Sequence, residues 1–112
     1  MMHTILIMSA KRLAASAQGR ALLQHRKAVI AKIKKYGYHS PYCFGSVARG
    51  DTDPNSDIDI LVDMDRNQYN PDMLYRLADE LEAIVGYPFD VANLDFMRES
   101  VRKKVIREAT KF

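Results

Sequence analysis

The chain has 112 residues, enough for one domain that buries roughly two thirds of its unfolded surface and too few for a second lobe. Hydrophobic residues at 47% and charged residues at 28% exclude a disordered or collagen-like chain, and a single cysteine excludes an internal disulfide framework, so a cytoplasmic protein is expected. A net charge of +3 is too small to neutralise many duplex phosphates, and direct DNA binding is not expected.

Residues 1–8 read as a short strand or a loose terminus. Their apolar run, Ile5–Met8, is far below the ~18–20 residues of a membrane helix. Lys11 and Arg12 follow that run, whereas a signal peptide places its basic residues first. From Arg20 to Tyr36 the pattern is helical, with Leu22, Val29, Ile33 and Tyr36 on one face and lysines and arginines over much of the rest. Gly37 stops it. Leu13, Ala14, Ala17 and Ala21 extend the stripe back toward Ser9, although Gly19 interrupts it.

Pro41–Phe44 reads as a brief strand and Gly45–Ser56 as a loop. Asp57–Asp63 alternates: Ile58, Ile60 and Val62 point one way, Asp57, Asp59, Leu61 and Asp63 the other. Asn70 caps a helix that starts at Pro71, buries Leu74, Leu77, Leu81, Ile84 and Val85, and ends at Gly86. Pro88–Asn93 is a third strand. A last helix runs from about Met97 to Thr110 along Val101, Val105, Ala109 and Phe112. The order predicts a small α/β (α+β) domain, a mixed β-sheet with helices packed on one side.

Acidic residues concentrate where the chemistry would sit. Residues 1–50 hold nine basic and no acidic side chains, residues 51–95 twelve acidic and two basic, and residues 96–112 six basic and two acidic. Such segregation marks a site or an interaction surface, because a merely solvated exterior mixes its signs. Asp57 and Asp59, two apart on a strand, share a face. Two carboxylates so close repel unless a cation lies between them. Hard oxygen ligands on a rigid strand suit Mg²⁺, which takes one or two carboxylates together with substrate phosphates. Gly45 lets backbone approach a ligand, and Ser46 caps a short helix whose free N–H groups suit phosphate. Two metal ions need a third carboxylate, and Asp90 of the third strand is the candidate. His3, His25 and His39 lack metal-like spacing.

The segment Gly45-Ser-Val-Ala-Arg-Gly-Asp-Thr-Asp-Pro-Asn-Ser-Asp-Ile-Asp59 and the later Phe89-Asp-Val91 resemble the signature of the DNA polymerase β-like nucleotidyltransferase superfamily. More narrowly, the chain is similar to the minimal nucleotidyltransferase (MNT) antitoxins of HEPN–MNT toxin–antitoxin pairs. The resemblance covers residues 20–112, which form the nucleotidyltransferase domain, and leaves residues 1–19 as an N-terminal extension.

The resemblance implies a role for each matching position. Gly45 and Ser46 hold the β- and γ-phosphates, Asp57 and Asp59 ligate two Mg²⁺ ions, and Asp90 completes the catalytic metal site and helps deprotonate the acceptor. Arg49 matches the family's Ala-Arg-Gly, steadying phosphate or the loop. It also implies ATP as donor, a tyrosine hydroxyl of a cognate HEPN toxin as acceptor, and a hetero-oligomer or homodimer away from membranes. Two alternatives remain open at this stage: a non-catalytic antitoxin acting by stoichiometric binding, or transfer to a small-molecule or RNA acceptor.

Overall fold

The computed structural model describes residues 11–112; the reading of residues 1–8, and His3, lie outside that range. In chain order the elements are α1 (Ala17–Gln24), α2 (Arg26–Lys35), β1 (His39–Phe44), α3 (Gly45–Arg49), β2 (Ile58–Asp63), α4 (Pro71–Val85), β3 (Phe89–Ala92), α5 (Glu99–Glu108) and β4 (Thr110–Lys111). Short 3₁₀ turns at Arg66–Gln68 and Leu94–Phe96 flank α4 and follow β3.

The strands form one mixed sheet in the order β3-β2-β1-β4. β1 pairs antiparallel with β2 and β4, whereas β2 and β3 are parallel. The parallel pair requires a crossover, and α4 supplies it. The alternation in β2 explains where the core lies. Ile58, Ile60 and Val62 join Val29 and Ile33 of α2 and Leu74, Leu77 and Leu81 of α4 in one buried cluster. Each such side chain fully withdrawn from water contributes about 1.5–3 kcal/mol. The opposite face of the strand is left for Asp59 and Asp63, with Leu61 buried between them.

Local signals place the elements. The Asn70 side chain accepts from the Asp72 N–H at 3.0 Å, and Pro71 occupies the first helical turn of α4. Helix α5 ends at Glu108 rather than Thr110, because Ala109 takes an extended ψ of 129°. Thr110 then pairs with Cys43 and Lys111 with Tyr42.

The expected helix over residues 20–36 is two helices. His25, at φ −102° and ψ 16°, separates them, while its N–H still bonds Ala21 and its carbonyl still accepts from Val29. Leu22, Val29 and Ile33 therefore keep a common buried side. Upstream, the chain turns after Leu13. Ser16 caps α1 by accepting from the Gly19 N–H at 2.9 Å. A Cβ on Gly19 would overlap the Leu13 carbonyl oxygen, so only glycine permits this corner. Leu13, Ser16 and Gln18 are buried, so residues 11–19, expected as an extension, are packed into the same body.

Candidate active site

The site is built around the point where β1 ends and β2 and β3 lie side by side. Phe44, the last residue of β1, is opposite Asp59, and Asp59 is opposite Asp90. Neighbouring strands are about 4.8 Å apart, so the two carboxylates leave adjacent backbones on one sheet face. Asp57 immediately precedes β2. Asp59 is half-buried, while Asp57 and Asp90 are exposed.

Gly45 follows Phe44 at φ 70°, a left-handed conformation open to glycine at little cost. A Cβ here would collide with Oδ2 of Asp59. The glycine thus serves two needs, turning the chain and leaving room for the carboxylate. Helix α3 starts at once, but its N-cap is Phe44, which provides no side-chain acceptor. Ser46 sits inside the first turn rather than at the cap. The leading amides of α3 therefore carry no side-chain cap beside Asp59, and amides so placed suit an anion.

Burial pushes the Asp59 carboxyl up to about 6, with the charges of Asp90 and then Asp57 adding to the effect and Arg49 opposing it. Ionising Asp59 is costly first because it is half-buried and then because two other carboxylates lie near it. A divalent cation would cancel that cost. All three groups are hard oxygen donors, the kind that Mg²⁺ prefers, so the residues fit this metal. Among the described residues no three His, Cys, Asp or Glu side chains close on a common point. Coordination by these aspartates therefore needs water or phosphate oxygens to complete it, as Mg²⁺ sites ordinarily do.

Arg49 is bound elsewhere in part. Its Nε donates to Asp51 at 3.1 Å and its Nη1 to Glu108 at 3.0 Å, which ties α3 to α5. Cys43, next to Phe44, is fully buried and its thiol is pushed up to about 12 by burial and then by Asp59. That thiol stays protonated and is no nucleophile.

Two side chains that sequence reasoning passed over hold the site. Gln18 donates to the Asp53 carbonyl at 2.8 Å and to the Ser56 carbonyl at 3.4 Å, and accepts from Thr52 Oγ1 at 3.4 Å. These bonds fasten the loop that leads into Asp57, and nothing local around Gln18 signals them. Asn93 is buried, donates to the Val62 carbonyl at 3.0 Å and accepts from the Asp95 N–H at 2.8 Å. Its cap-like Asn93-Leu94-Asp95 spacing was visible in the sequence.

A groove of about 260 Å³ opens beside Asp90. It runs along the outer edge of β3, with α4 as its wall and the stacked rings of Tyr69 and Phe96, centroids 4.0 Å apart, near one end.

Residues 27–111 match the family model described as Polymerase beta, Nucleotidyltransferase. A Methanocaldococcus jannaschii protein provisionally named a protein adenylyltransferase is 31% identical over 84 residues, covering 75% of this chain and 89% of the relative. A solved structure described as a minimal nucleotidyltransferase is 30% identical with a TM-score of 0.71, covering 83% of this chain and 94% of its own. A chain from a toxin–antitoxin crystal structure with AMP-PNP shares the fold at 22% identity and a TM-score of 0.64, over 76% of this chain and 69% of that one.

Proposed function

Since the chain belongs to the polymerase β nucleotidyltransferase family, we propose that it is a Mg²⁺-dependent antitoxin that transfers AMP from ATP to a tyrosine hydroxyl of a cognate HEPN toxin and thereby silences it. The observation that carries this reading is the register of Asp59 against Asp90 beside the Gly45–Ser46 turn. Kinship to a protein provisionally named an adenylyltransferase supports the reaction type. The fold shared with a toxin–antitoxin chain solved with AMP-PNP supports the setting and the donor. Such a reaction belongs in the cytoplasm, where ATP is abundant and a lone cysteine stays reduced.

Two magnesium ions, held by Asp57, Asp59 and Asp90, would supply positive charge to the phosphate and to the acceptor oxygen when bound. The chain's own groups do the rest. The first amides of α3, at Gly45 and Ser46, hold the β- and γ-phosphates. Arg49, anchored by Asp51 and Glu108, steadies that helix. Asp90 takes the phenolic proton as the hydroxyl oxygen attacks the α-phosphorus in line. The new bond is tyrosyl O–P; the bond between the α-phosphorus and its bridging oxygen breaks, and pyrophosphate leaves with the electron pair. Asp57 and Asp90 are exposed, and a groove of about 260 Å³ is smaller than the ~300–1,000 Å³ of ordinary ligand sites. The toxin therefore supplies the missing wall.

The test is incubation with α-labelled ATP, Mg²⁺ and the product of the adjacent gene. Label should appear on that partner, disappear when its tyrosines are changed to phenylalanine, and fall to background in the Asp57→Asn, Asp59→Asn double variant. Transfer that survives the double variant overturns the mechanism. Protection from the toxin by that variant overturns catalysis as its cause.

A further inference from the structure

The sheet is open along the edge strand β3. Among the described residues, β3 pairs with β2 on one side and with no strand on the other. The Ile58 N–H bonds the Pro88 carbonyl at 2.8 Å. With the parallel register of Ile58 on Phe89 and Asp59 on Asp90, the backbones of Pro88, Asp90 and Ala92 turn toward β2. Those of Phe89 and Val91 turn toward the open edge. The edge is four residues long and carries the charge of Asp90, but Phe89–Ala92 contains neither the lysine nor the proline that commonly blunt such edges.

That edge is the floor of the groove beside Asp90. Leu74, Tyr75 and Ala78 of α4 form its wall, and Tyr75 is 71% exposed. An edge strand facing a helix across an apolar groove is the arrangement that accepts an added extended peptide, with backbone bonds for affinity and alternate side-chain pockets for specificity. The rim is acidic. Asp79 and Glu82 lie one helical turn beyond Tyr75 and Ala78, Asp72 and Asp95 flank the other end, and all four are exposed, against exposed Arg98 next to Met97. Arg76 points instead into the cleft with α2.

We infer that β3 and α4 bind the acceptor as an added strand, a basic extended segment whose hydroxyl residue lies opposite Asp90. The register supplies the chemistry. A residue paired with Asp90 projects on the same sheet face, and directly paired Cβ atoms lie about 4.5–5.5 Å apart. A phenol there reaches Asp90, which is itself beside Asp59. Residues on either side of it turn to the face of Phe89 and Val91, into the apolar groove. Residues three positions out from the phenol share that groove-side face and meet the acidic rim. The role of the bound hydroxyl as acceptor rests on the adenylyl-transfer reading, but the docking does not.

The experiment uses the full chain and a nonapeptide with a central tyrosine, a valine on either side of it and a lysine three positions out in each direction, first without nucleotide. Amide exchange followed by NMR should slow at least about tenfold at Phe89 and Val91 at saturating peptide. The same peptide N-methylated at the tyrosine and its two flanking valines should bind at least about tenfold more weakly. Tyr75→Lys, at an exposed wall position, should weaken binding about fivefold by placing like charge against the lysines. Unchanged exchange, shifts confined to another surface, or amides already protected before peptide is added would each overturn the inference. The last result would mean that another part of the chain or a second copy covers the edge. With ATP and Mg²⁺ present, a peptide that docks but is not modified counts against the proposed reaction alone. Modification without edge protection counts against this docking alone.

Discussion

Replacing Gly45 with alanine separates backbone strain from damage to the site. A left-handed conformation costs an L-residue about 1–2 kcal/mol, and Gly45 sits at φ 70°. The added methyl would also overlap Oδ2 of Asp59, so the carboxylate must rotate away from its place beside Asp90. Gly86→Ala is the matched control, since Gly86 has φ 89° and a Cβ there meets nothing within 4 Å. Both variants pay the strain, which in a domain of this size lowers Tm by roughly 4–6 °C per kcal/mol. Only Gly45→Ala moves Asp59, a proposed metal ligand, and a misplacement of about 1 Å can cost a hundredfold in rate. Calorimetric melts, magnesium titration in the presence of nucleotide, and label transfer would be measured on both. If Gly45→Ala binds magnesium and transfers label as well as Gly86→Ala does, the contact between Gly45 and Asp59 has no part in the site.

Three further outcomes follow from the same geometry. Because the Asp59 carboxyl is pushed up to about 6, magnesium must displace a proton below that pH. Affinity measured by calorimetry should therefore fall by up to about tenfold per unit below pH 6 and level off above it. The same shift sets a stability trend in magnesium-free protein: the contribution of Asp59 is complete below its ordinary value of 3.8 and lost as pH rises through about 6. With Asp59 partly exposed, about 1 kcal/mol is at stake rather than the ~3 of an unscreened two-unit shift. Asp59→Asn should accordingly raise Tm at pH 8 without magnesium while abolishing transfer; a lowered Tm would contradict the electrostatic account. Gln18→Leu leaves the Asp53 and Ser56 carbonyls without their donor, at about 1–3 kcal/mol. It should raise the magnesium needed for half-maximal transfer several-fold, whereas Asn70→Ala, which removes a cap worth about 1 kcal/mol, should melt earlier with that requirement unchanged.

Legibility tracked distance along the chain. The alternation of Ile58, Ile60 and Val62 against the aspartates, the Asn70–Pro71 start and the Gly86 stop are all written within a few residues, and the structure has them as strand, cap and terminus. What the sequence concealed depends on remote partners. Ala109 and Thr110 looked like the tail of a helix because Ala109 and Phe112 continue its apolar stripe. The competing strand bonds come from Tyr42 and Cys43, which no local pattern announces. Arg49 is engaged by Glu108, 59 positions away, so its motif alone left its role open. The break at His25 is invisible to periodicity, since Leu22, Val29 and Ile33 remain buried on both sides of it.

The family model starts at residue 27, and the resemblance in the sequence left residues 1–19 as an N-terminal extension. Yet Gln18 reaches 35 positions forward to Asp53, Leu13 is in the core, and the Leu13 carbonyl occupies the space left by Gly19. A truncation at residue 20 would remove the donor that fastens the loop before Asp57 along with a fully buried leucine. The loop would keep its internal bonds, from Asn55 N–H to Asp53 and from Asp53 N–H to Ser56. Those bonds shape the turn but do not tie it to the body of the protein. A side chain delivered by a loop is only as well placed as the loop's outside anchors, so residues 11–19 belong to the body that positions Asp57 although they carry none of the proposed chemistry.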